Sequence, residues 1–314
     1  MNLHELVESY VDFRRGLGEK CITGNAVLRS FCHSIGSQIS VRQITVKKVT
    51  AFVAGKGPVT RAWHVRYAAL KGFFQFAVGH GHLHRIPLPM TLPKRPPTVV
   101  PYVYSRAELW RLLNAISSFN CPRLLERATL RAMLLVAYGA GLRRQELLNL
   151  KMADVDVTGR LLTIRDTKFF KSRLVPIGRD LAGVLGRYLR QRKATHRPTD
   201  ASDPFFITRE AESVSRWTLD QAYSRLRRFA GVQRADGGRF QPRLHDLRHT
   251  FAVHRLTSWY EEGADVQRLL YHLSVYLGHT NLAHTQVYLT MTPELLTRAG
   301  RRFERYAHGE VSDD

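Results

Sequence analysis

Side chains that bind or cleave phosphate esters occur in three short segments of the chain. The first, AYGAGLRRQELLNL at residues 137–150, has two glycines between apolar stretches, with Arg143 shortly after them. We expect a tight turn between two helices, with Arg143 at the start of the second. A guanidinium beside the free N–H groups of a helix start suits a phosphate. Taken alone, the segment favours this phosphate-binding role only modestly over an exposed surface arginine.

The second and third segments carry histidines and a tyrosine. In RLHDLRHTFA, residues 243–252, His245 and Arg248 are three residues apart and therefore share one face of a helix. A histidine exchanges protons near neutral pH, while a neighbouring arginine stabilises charge on a phosphate oxygen. The third segment contains His279 in YLGH and Tyr288 nine residues later. Each of these last two residues, taken alone, is more typical of a packed core position.

The overall charge indicates a polyanionic partner. Lys and Arg total 48 against 26 acidic residues, a formal net charge of +22. The most apolar stretch, residues 133–138, is far shorter than the roughly 20 residues that span a bilayer, so a nucleic acid is favoured over a membrane. Three widely spaced cysteines without a CxxC pair, and no secretory pattern at the N-terminus, predict a cytoplasmic protein with reduced thiols.

Prolines predict a division into two domains. Six of the 13 prolines fall within residues 87–101, which can continue neither a helix nor a central strand and are predicted to be a linker. Residues 1–86 carry apolar side chains at helical spacing and predict a small helical domain. Residues 102–314 are predicted to form the second domain, which opens with a capping box of Ser105 and Glu108 before a helix over 108–116.

The second domain mixes helices with a few short strands. A helix is predicted near 124–138, a hairpin over 155–157 and 161–164, and a third strand over 173–177. Helical spacing returns from Trp217 onward. The expected fold class is therefore mainly α with a small antiparallel β-sheet, an α+β arrangement.

The three segments together resemble the tyrosine recombinase, or phage integrase, family. The resemblance rests on GLRxxEL, HxxR, LGH and a tyrosine nine residues after the last histidine, in this order. It covers the whole chain, because residues 1–86 are similar to the family's core-binding domain and residues 102–314 to its catalytic domain. It implies a site-specific DNA recombinase or integrase that uses a 3′-phosphotyrosine intermediate and no cofactor or metal. A phage, a transposon or a chromosome would carry its gene.

Carried over residue by residue, the resemblance implies a role for each candidate. Tyr288 would be the nucleophile, and Arg143 and Arg248 would bind the non-bridging oxygens of the scissile phosphate. His245 would act as acid-base, and His279 would donate a hydrogen bond to the phosphate.

Two further positions follow from the resemblance. Lys168 matches the family's hairpin lysine, which protonates the leaving 5′-oxygen. Family members usually have glycines around that lysine, whereas Phe169 and Phe170 follow it here, and Lys171 is a competitor. Glu146 is expected to support its helix rather than to react.

The resemblance also implies partners. We expect a homo-oligomer, from dimer to tetramer, assembled on double-stranded DNA, with related recombinases as further partners and no membrane. The expected location is the bacterial cytoplasm beside the nucleoid. A tail helix from about residue 292 either docks on a neighbouring protomer or packs on its own domain.

Three other functions stay open at this point. They are a catalytically silent DNA-binding accessory protein, a type IB topoisomerase, and a zinc hydrolase that uses His245 and His249 at HExxH spacing.

Overall fold

Two compact units make up the chain. The computed structural model describes residues 1–96, 100–165, 172–195, 200–238 and 240–290, with two further residues at 297 and 300. One unit is Met1–Thr98 and the other comprises Val99–Thr167 and Ser172–Asp314. Among the described helices, none has the length and apolar character needed to span a membrane.

The first unit is built from four helices. They are α1 (Leu3–Gly16), α2 (Ile22–Ile35), α3 (Val46–Ala54) and α4 (Arg61–Gly79). Asn2 caps α1 by accepting a hydrogen bond from the Glu5 backbone N–H, and the Glu5 carboxylate accepts one from the Asn2 backbone N–H. Leu6, Phe31 and Phe73 are fully buried where the helices meet. The apolar spacing of the sequence thus forms the core of this unit.

The second unit is larger and contains both helices and strands. Its helices are α5 (Arg106–Ala115), α6 (Arg127–Gly139), α7 (Arg144–Leu148), α8 (Arg179–Thr195), α9 (Arg216–Phe229), α10 (Asp246–Glu261), α11 (Val266–Leu277) and α12 (Ala283–Gln286). The capping box at Ser105 and Glu108 is present in the structure. Helix α6 begins at Arg127 rather than near 124, because a turn closed by the Leu125 N–H on the Pro122 carbonyl precedes it.

A three-stranded antiparallel sheet confirms the predicted α+β class. Its strands are β1 (Val155–Asp156), β2 (Leu161–Ile164) and β3 (Arg173–Pro176), in the order β1-β2-β3. Leu162 pairs with both Val155 and Val175. Strand β1 is one residue shorter than predicted, because the Asp156 carboxylate accepts a hydrogen bond from the Gly159 N–H at 2.7 Å and starts the turn.

The turn between α6 and α7 depends on Gly141. Its φ of +58° lies in the left-handed region, and a Cβ atom there would stand 2.6 Å from Phe251 Cδ1 and 3.0 Å from Leu277 Cδ2. The turn therefore lies closer to α10 and α11 than a residue with a side chain at position 141 would allow.

We predict that Gly141→Ala lowers the free energy of unfolding of the second unit by about 2 to 4 kcal/mol, from left-handed strain and overpacking together. Urea denaturation measures the change. Gly178→Ala is the matched control, because a Cβ at Gly178 would meet nothing within 4 Å. Equal stability of the two variants would contradict the packing described here.

Candidate active site

Three arginines pair with the last three carbonyls of α11 and its cap. Arg173 Nε donates to the Tyr276 carbonyl at 2.9 Å, Arg248 Nη2 to the Leu277 carbonyl at 2.6 Å, and Arg143 Nη2 to the Gly278 carbonyl at 2.7 Å. The last carbonyls of a helix have no partner within the helix, and its negative end favours cations. The end of α11 therefore holds all three guanidinium groups in one place.

Glu146 supplies the counter-charge to this cluster. Its carboxylate accepts two hydrogen bonds from Arg173, both at 2.9 Å, and one from Arg143 Nη1 at 2.8 Å, and lies 3.8 Å from Arg248 Nη1. Burial alone would raise the pKa of Glu146, but the hydrogen bonds and charges of Arg173 and Arg143 outweigh it and lower the pKa to about 2. Glu146 is thus a permanent anion, and the sequence-based expectation that it supports its helix describes only part of its contacts.

The cluster needs glycine at position 278. Gly278 ends α11 with a φ of +67°, and a Cβ atom on it would stand 2.9 Å from Arg173 Nη1. The LGH segment therefore combines a helix stop, a close approach to Arg173 and the placement of His279 directly after the stop.

Tyr288 lies buried beside these groups. It belongs to the 3₁₀ turn Val287–Thr290, is 2% exposed, and packs in an apolar cluster with Leu256, Leu273 and Leu277. Its ring centroid is 5.6 Å from that of His249 and 6.1 Å from that of His279. Burial raises the pKa of the Tyr288 hydroxyl, and the charges of Arg248 and Arg143 oppose that rise. The phenol is therefore protonated at neutral pH in this state.

Both ring nitrogens of His279 are occupied. Nε2 lies 3.1 Å from Arg248 Nη2, and Nδ1 lies 2.7 Å from the hydroxyl of Thr285, which is fully buried. Because Arg248 can only donate, Nε2 accepts and the ring proton resides on Nδ1. For His279 to donate from Nε2 to a phosphate, the ring must change tautomer, and the Thr285 hydroxyl can then donate to Nδ1 instead.

His245 is the N-cap of α10 rather than a residue within it, so it precedes the helix that carries Arg248. Its ring meets that of His249 edge to face, with 4.9 Å between centroids. Burial, followed by the charge of Arg248, lowers the pKa of His245 to about 4. The preceding turn is fixed by Asp246, whose carboxylate accepts from the Arg243 N–H at 2.8 Å.

The structure therefore brings together Arg143, Arg248, His279 and Tyr288, with His245 reaching the group through His249. Lys168 and its competitor Lys171 lie outside the described residues, as does nearly all of the expected tail helix. Within the described residues, no group of three or more His, Cys, Asp or Glu side chains is arranged to hold a metal ion.

Two residues of this site were not singled out from the sequence. Arg173 occurs in the Arg-x-Val-Pro end of the hairpin, a pattern that signals a strand but not an ion pair. His249 stood only in the zinc alternative, yet its Nδ1 lies 3.2 Å from the Tyr288 hydroxyl. Its position directly after Arg248 was the available signal, but only the fold shows which way the ring points.

Not every arginine of the second unit is free to meet DNA. Arg192 is 4% exposed and donates from Nη1 to the carbonyls of Pro204 and Phe205. Arg227 is 6% exposed and donates to the Val232 carbonyl at 2.7 Å. These two guanidinium groups hold loops together and are too deeply buried to contact a duplex.

Comparison with known proteins identifies relatives along most of the chain. The model of the phage integrase family matches residues 105–294. The chain is 35% identical over 306 residues to y4rB of Sinorhizobium fredii, named as an integrase/recombinase, covering 96% of each chain. It is 32% identical over 249 residues to the tyrosine recombinase XerA of Thermococcus kodakarensis, covering 79% of this chain and 77% of XerA.

Solved structures share the fold at lower sequence identity. The Tn1549 transposon integrase in complex with transposon right end DNA aligns over 98% of this chain and all of that one, with a TM-score of 0.70 and 16% identity. A lambda integrase dimer bound to a COC' core site aligns over 90% of this chain and 96% of that one, with a TM-score of 0.60 and 20% identity.

We predict that Glu146→Gln lowers the free energy of unfolding by about 3 kcal/mol or more, because three clustered guanidinium groups lose their only carboxylate among the described contacts. Urea denaturation at pH 7 measures this loss. Glu5→Gln, which alters an exposed capping box of α1, is the control and should cost about 1 kcal/mol or less. A loss at Glu146 no larger than at Glu5 would refute the central role of this carboxylate.

Proposed function

The chain belongs to the phage integrase family of tyrosine recombinases, and on that basis we propose that it recombines DNA at specific sites. In this proposal Tyr288 attacks a phosphodiester, forming a 3′-phosphotyrosine link and releasing a 5′-hydroxyl, and the 5′-hydroxyl of a partner strand reverses the step. The observation that carries the proposal is the convergence of Arg143, Arg248, His279 and Tyr288 at the end of α11.

The charge balance of the site supports phosphoryl transfer. Three guanidinium groups face one carboxylate, which leaves an excess of two positive charges. A phosphodiester carries one negative charge, and its transition state accumulates more on the non-bridging oxygens. Cations fixed in advance stabilise that extra charge without reorganisation, an effect that is often the largest single contribution to catalysis.

Arg143 and Arg248 retain hydrogen-bond donors for a substrate. A guanidinium has five N–H donors. Contacts to the described residues use two on Arg143, and three on Arg248 besides its hydrogen bond to Tyr288. Arg173 also uses three, but both of its Nη atoms are engaged by the Glu146 carboxylate. Arg143 is also 36% exposed, so it is the group that an incoming phosphate meets first. We assign both side chains to the non-bridging oxygens, and Arg173 to holding Glu146.

The remaining site residues have distinct proposed roles. His245 acts as acid-base next to the phosphate, and His279 donates to a phosphate oxygen once its ring has changed tautomer. We propose Lys168 as the acid that protonates the leaving 5′-oxygen, with Lys171 as the competitor. Since the chemistry keeps the bond energy in the phosphotyrosine link, it requires neither ATP nor a metal.

We further propose that the domains divide DNA binding and catalysis. Residues 1–86 would be a core-binding domain, 87–101 a linker, and 102–314 the catalytic domain with a tail helix from about 292. Solved relatives include a lambda integrase dimer on a core site, which supports assembly of this chain as a homo-oligomer on duplex DNA. Such an enzyme would work in the cytoplasm beside the nucleoid.

The alternative functions are less well supported. The relatives are named as integrases and recombinases, which favours strand exchange over simple relaxation. A catalytically silent accessory protein would have no need for a buried tyrosine beside two arginines. The ring of His249 faces Tyr288 in this structure, which does not favour a zinc hydrolase.

We predict that a nicked suicide duplex carrying the cognate site traps a covalent protein–DNA adduct with the wild-type protein, and that Tyr288→Phe forms none. Denaturing gel electrophoresis detects the adduct. Tyr271→Phe is the matched control, because Tyr271 lies on α11 with 63% of its side chain exposed and should keep full cleavage. An undiminished adduct in Tyr288→Phe would exclude this tyrosine as the nucleophile.

The acid is assigned by comparing two lysine variants. We predict that Lys168→Ala slows cleavage by about 100-fold or more, as expected for loss of general acid catalysis, and that Lys171→Ala does so far less. A substrate with sulfur in place of the 5′-bridging oxygen needs no acid, so Lys168→Ala should cleave it at nearly the wild-type rate. The reverse pattern would assign the role to Lys171.

A further inference from the structure

The Tyr288 hydroxyl has a histidine as its hydrogen-bond partner. His249 Nδ1 lies 3.2 Å from Tyr288 Oη, and the two rings are tilted at 59° with 5.6 Å between their centroids. His249 follows Arg248 on α10, so one helix turn presents both a cation and a nitrogen base to the nucleophile. The contact joins residues 39 positions apart in sequence and is a product of the fold.

A tyrosine that attacks phosphorus must lose its proton, and the other nearby groups are poor acceptors. Glu146 is held as an anion by Arg173 and Arg143, with its pKa lowered to about 2. His279 has both ring nitrogens engaged, by Arg248 and by Thr285. Arg248 is close enough for its charge to act on Tyr288, but a guanidinium carries no free lone pair to accept a proton.

His249 is in the protonation state that an acceptor needs. Burial lowers the pKa of His249 to about 4, and the positive charge that His245 can carry is the next largest cause. The charges of Arg248 and Arg243 lower this pKa further, whereas that of Asp246 raises it. The imidazole is therefore neutral at pH 7. Because the phenol is protonated, we assign Nδ1 as the acceptor of its hydrogen bond and the ring proton to Nε2. A bound phosphodiester adds negative charge beside the ring and makes it a stronger base at the moment when it is needed.

We propose that His249 is the general base that takes the proton from the Tyr288 hydroxyl during DNA cleavage, an inference that rests on the proposed function. As the Oη–H bond breaks, the proton passes to His249 Nδ1 and an electron pair of Oη forms the bond to phosphorus. The electron pair of the P–O5′ bond passes to the 5′-oxygen, which takes a proton from the lysine acid. In the rejoining step His249 returns its proton to Oη as the tyrosine leaves.

This assignment separates two histidines that the sequence places in one motif. The ring of His245 contacts that of His249 edge to face, and His249, not His245, has the hydrogen bond to Oη. His249 therefore acts on the nucleophile, which leaves His245 for the phosphate side of the reaction.

The experiment compares His249→Ala with His249→Asn in single-turnover cleavage of the nicked suicide duplex. The Asn side chain can place a polar atom near the position of Nδ1 and keep the hydrogen bond, but it cannot accept a proton at neutral pH. We expect both variants to be slowed by about 100-fold or more, the scale of general base catalysis. Added imidazole should restore the rate of His249→Ala in a saturable manner and should not restore that of His249→Asn.

Two controls keep the outcome specific. The first is His254→Ala. His254 lies on the same helix as His249, and its Nδ1 is 3.0 Å from the hydroxyl of Tyr138. This variant should cleave at the wild-type rate and should not respond to imidazole. The second is the substrate with 5′-bridging sulfur, on which the defect of His249→Ala should persist, unlike that of the lysine variant. Urea denaturation of each variant shows that the slowed proteins are folded.

Three results would overturn the proposal. If His249→Asn cleaves at the wild-type rate, the histidine only positions Tyr288 and does not accept its proton. If imidazole has no effect on folded His249→Ala, no proton acceptor is missing in that variant. If His249→Ala recovers on the sulfur substrate, its defect lies in protonation of the leaving group. Each is read against a wild-type protein that forms the adduct. Absence of that adduct, or its presence in Tyr288→Phe, would instead refute the proposed function.

Discussion

The end of helix α11 is the constraint on which the active site depends. Its last carbonyls, at Tyr276, Leu277 and Gly278, each accept a hydrogen bond from a different arginine, and the carboxylate of Glu146 lies among the same three cations. Three like charges repel one another, so they converge only because a helix end and a buried anion compensate them. The same contacts connect β3, α7, α10 and α11, and thus join the candidate site residues to the fold.

This arrangement uses one residue type for two purposes. Arg173 is bidentate on Glu146 and only 12% exposed, so its guanidinium serves the framework. Arg143 shares the same carboxylate but keeps donors and exposed area for a ligand. Arg192 and Arg227 illustrate the structural use elsewhere, since each is buried against carbonyl groups. A net charge of +22 therefore overstates the number of cations that can meet DNA.

Tyr288 and the histidines next to it are uncharged in this structure. Tyr288 is buried and protonated, and burial together with neighbouring charge lowers the pKa of His249 to about 4 and that of His279 to about 3. Neutral imidazoles can accept protons and change tautomer, which charged ones cannot. A bound phosphate would alter this balance directly, because its negative charge opposes the two excess positive charges of the cluster.

By itself, the sequence determined the α+β class, the helical character of residues 3–79, and the candidates Arg143, His245, Arg248, His279 and Tyr288, because apolar spacing, caps and motif order are local properties. It also indicated the turn at Gly141, which a left-handed φ requires. Only the tertiary structure decided that Arg173 and Glu146 form the centre of the cluster, that Arg192 and Arg227 are internal, and that His249 faces Oη. The physical reason is that the contacts of Arg173, Arg192 and His249 join residues 12 to 39 positions apart, so they depend on how helices pack and not on the spacing within any one of them. Arg227 reaches a carbonyl five residues on, in the loop beyond the end of α9.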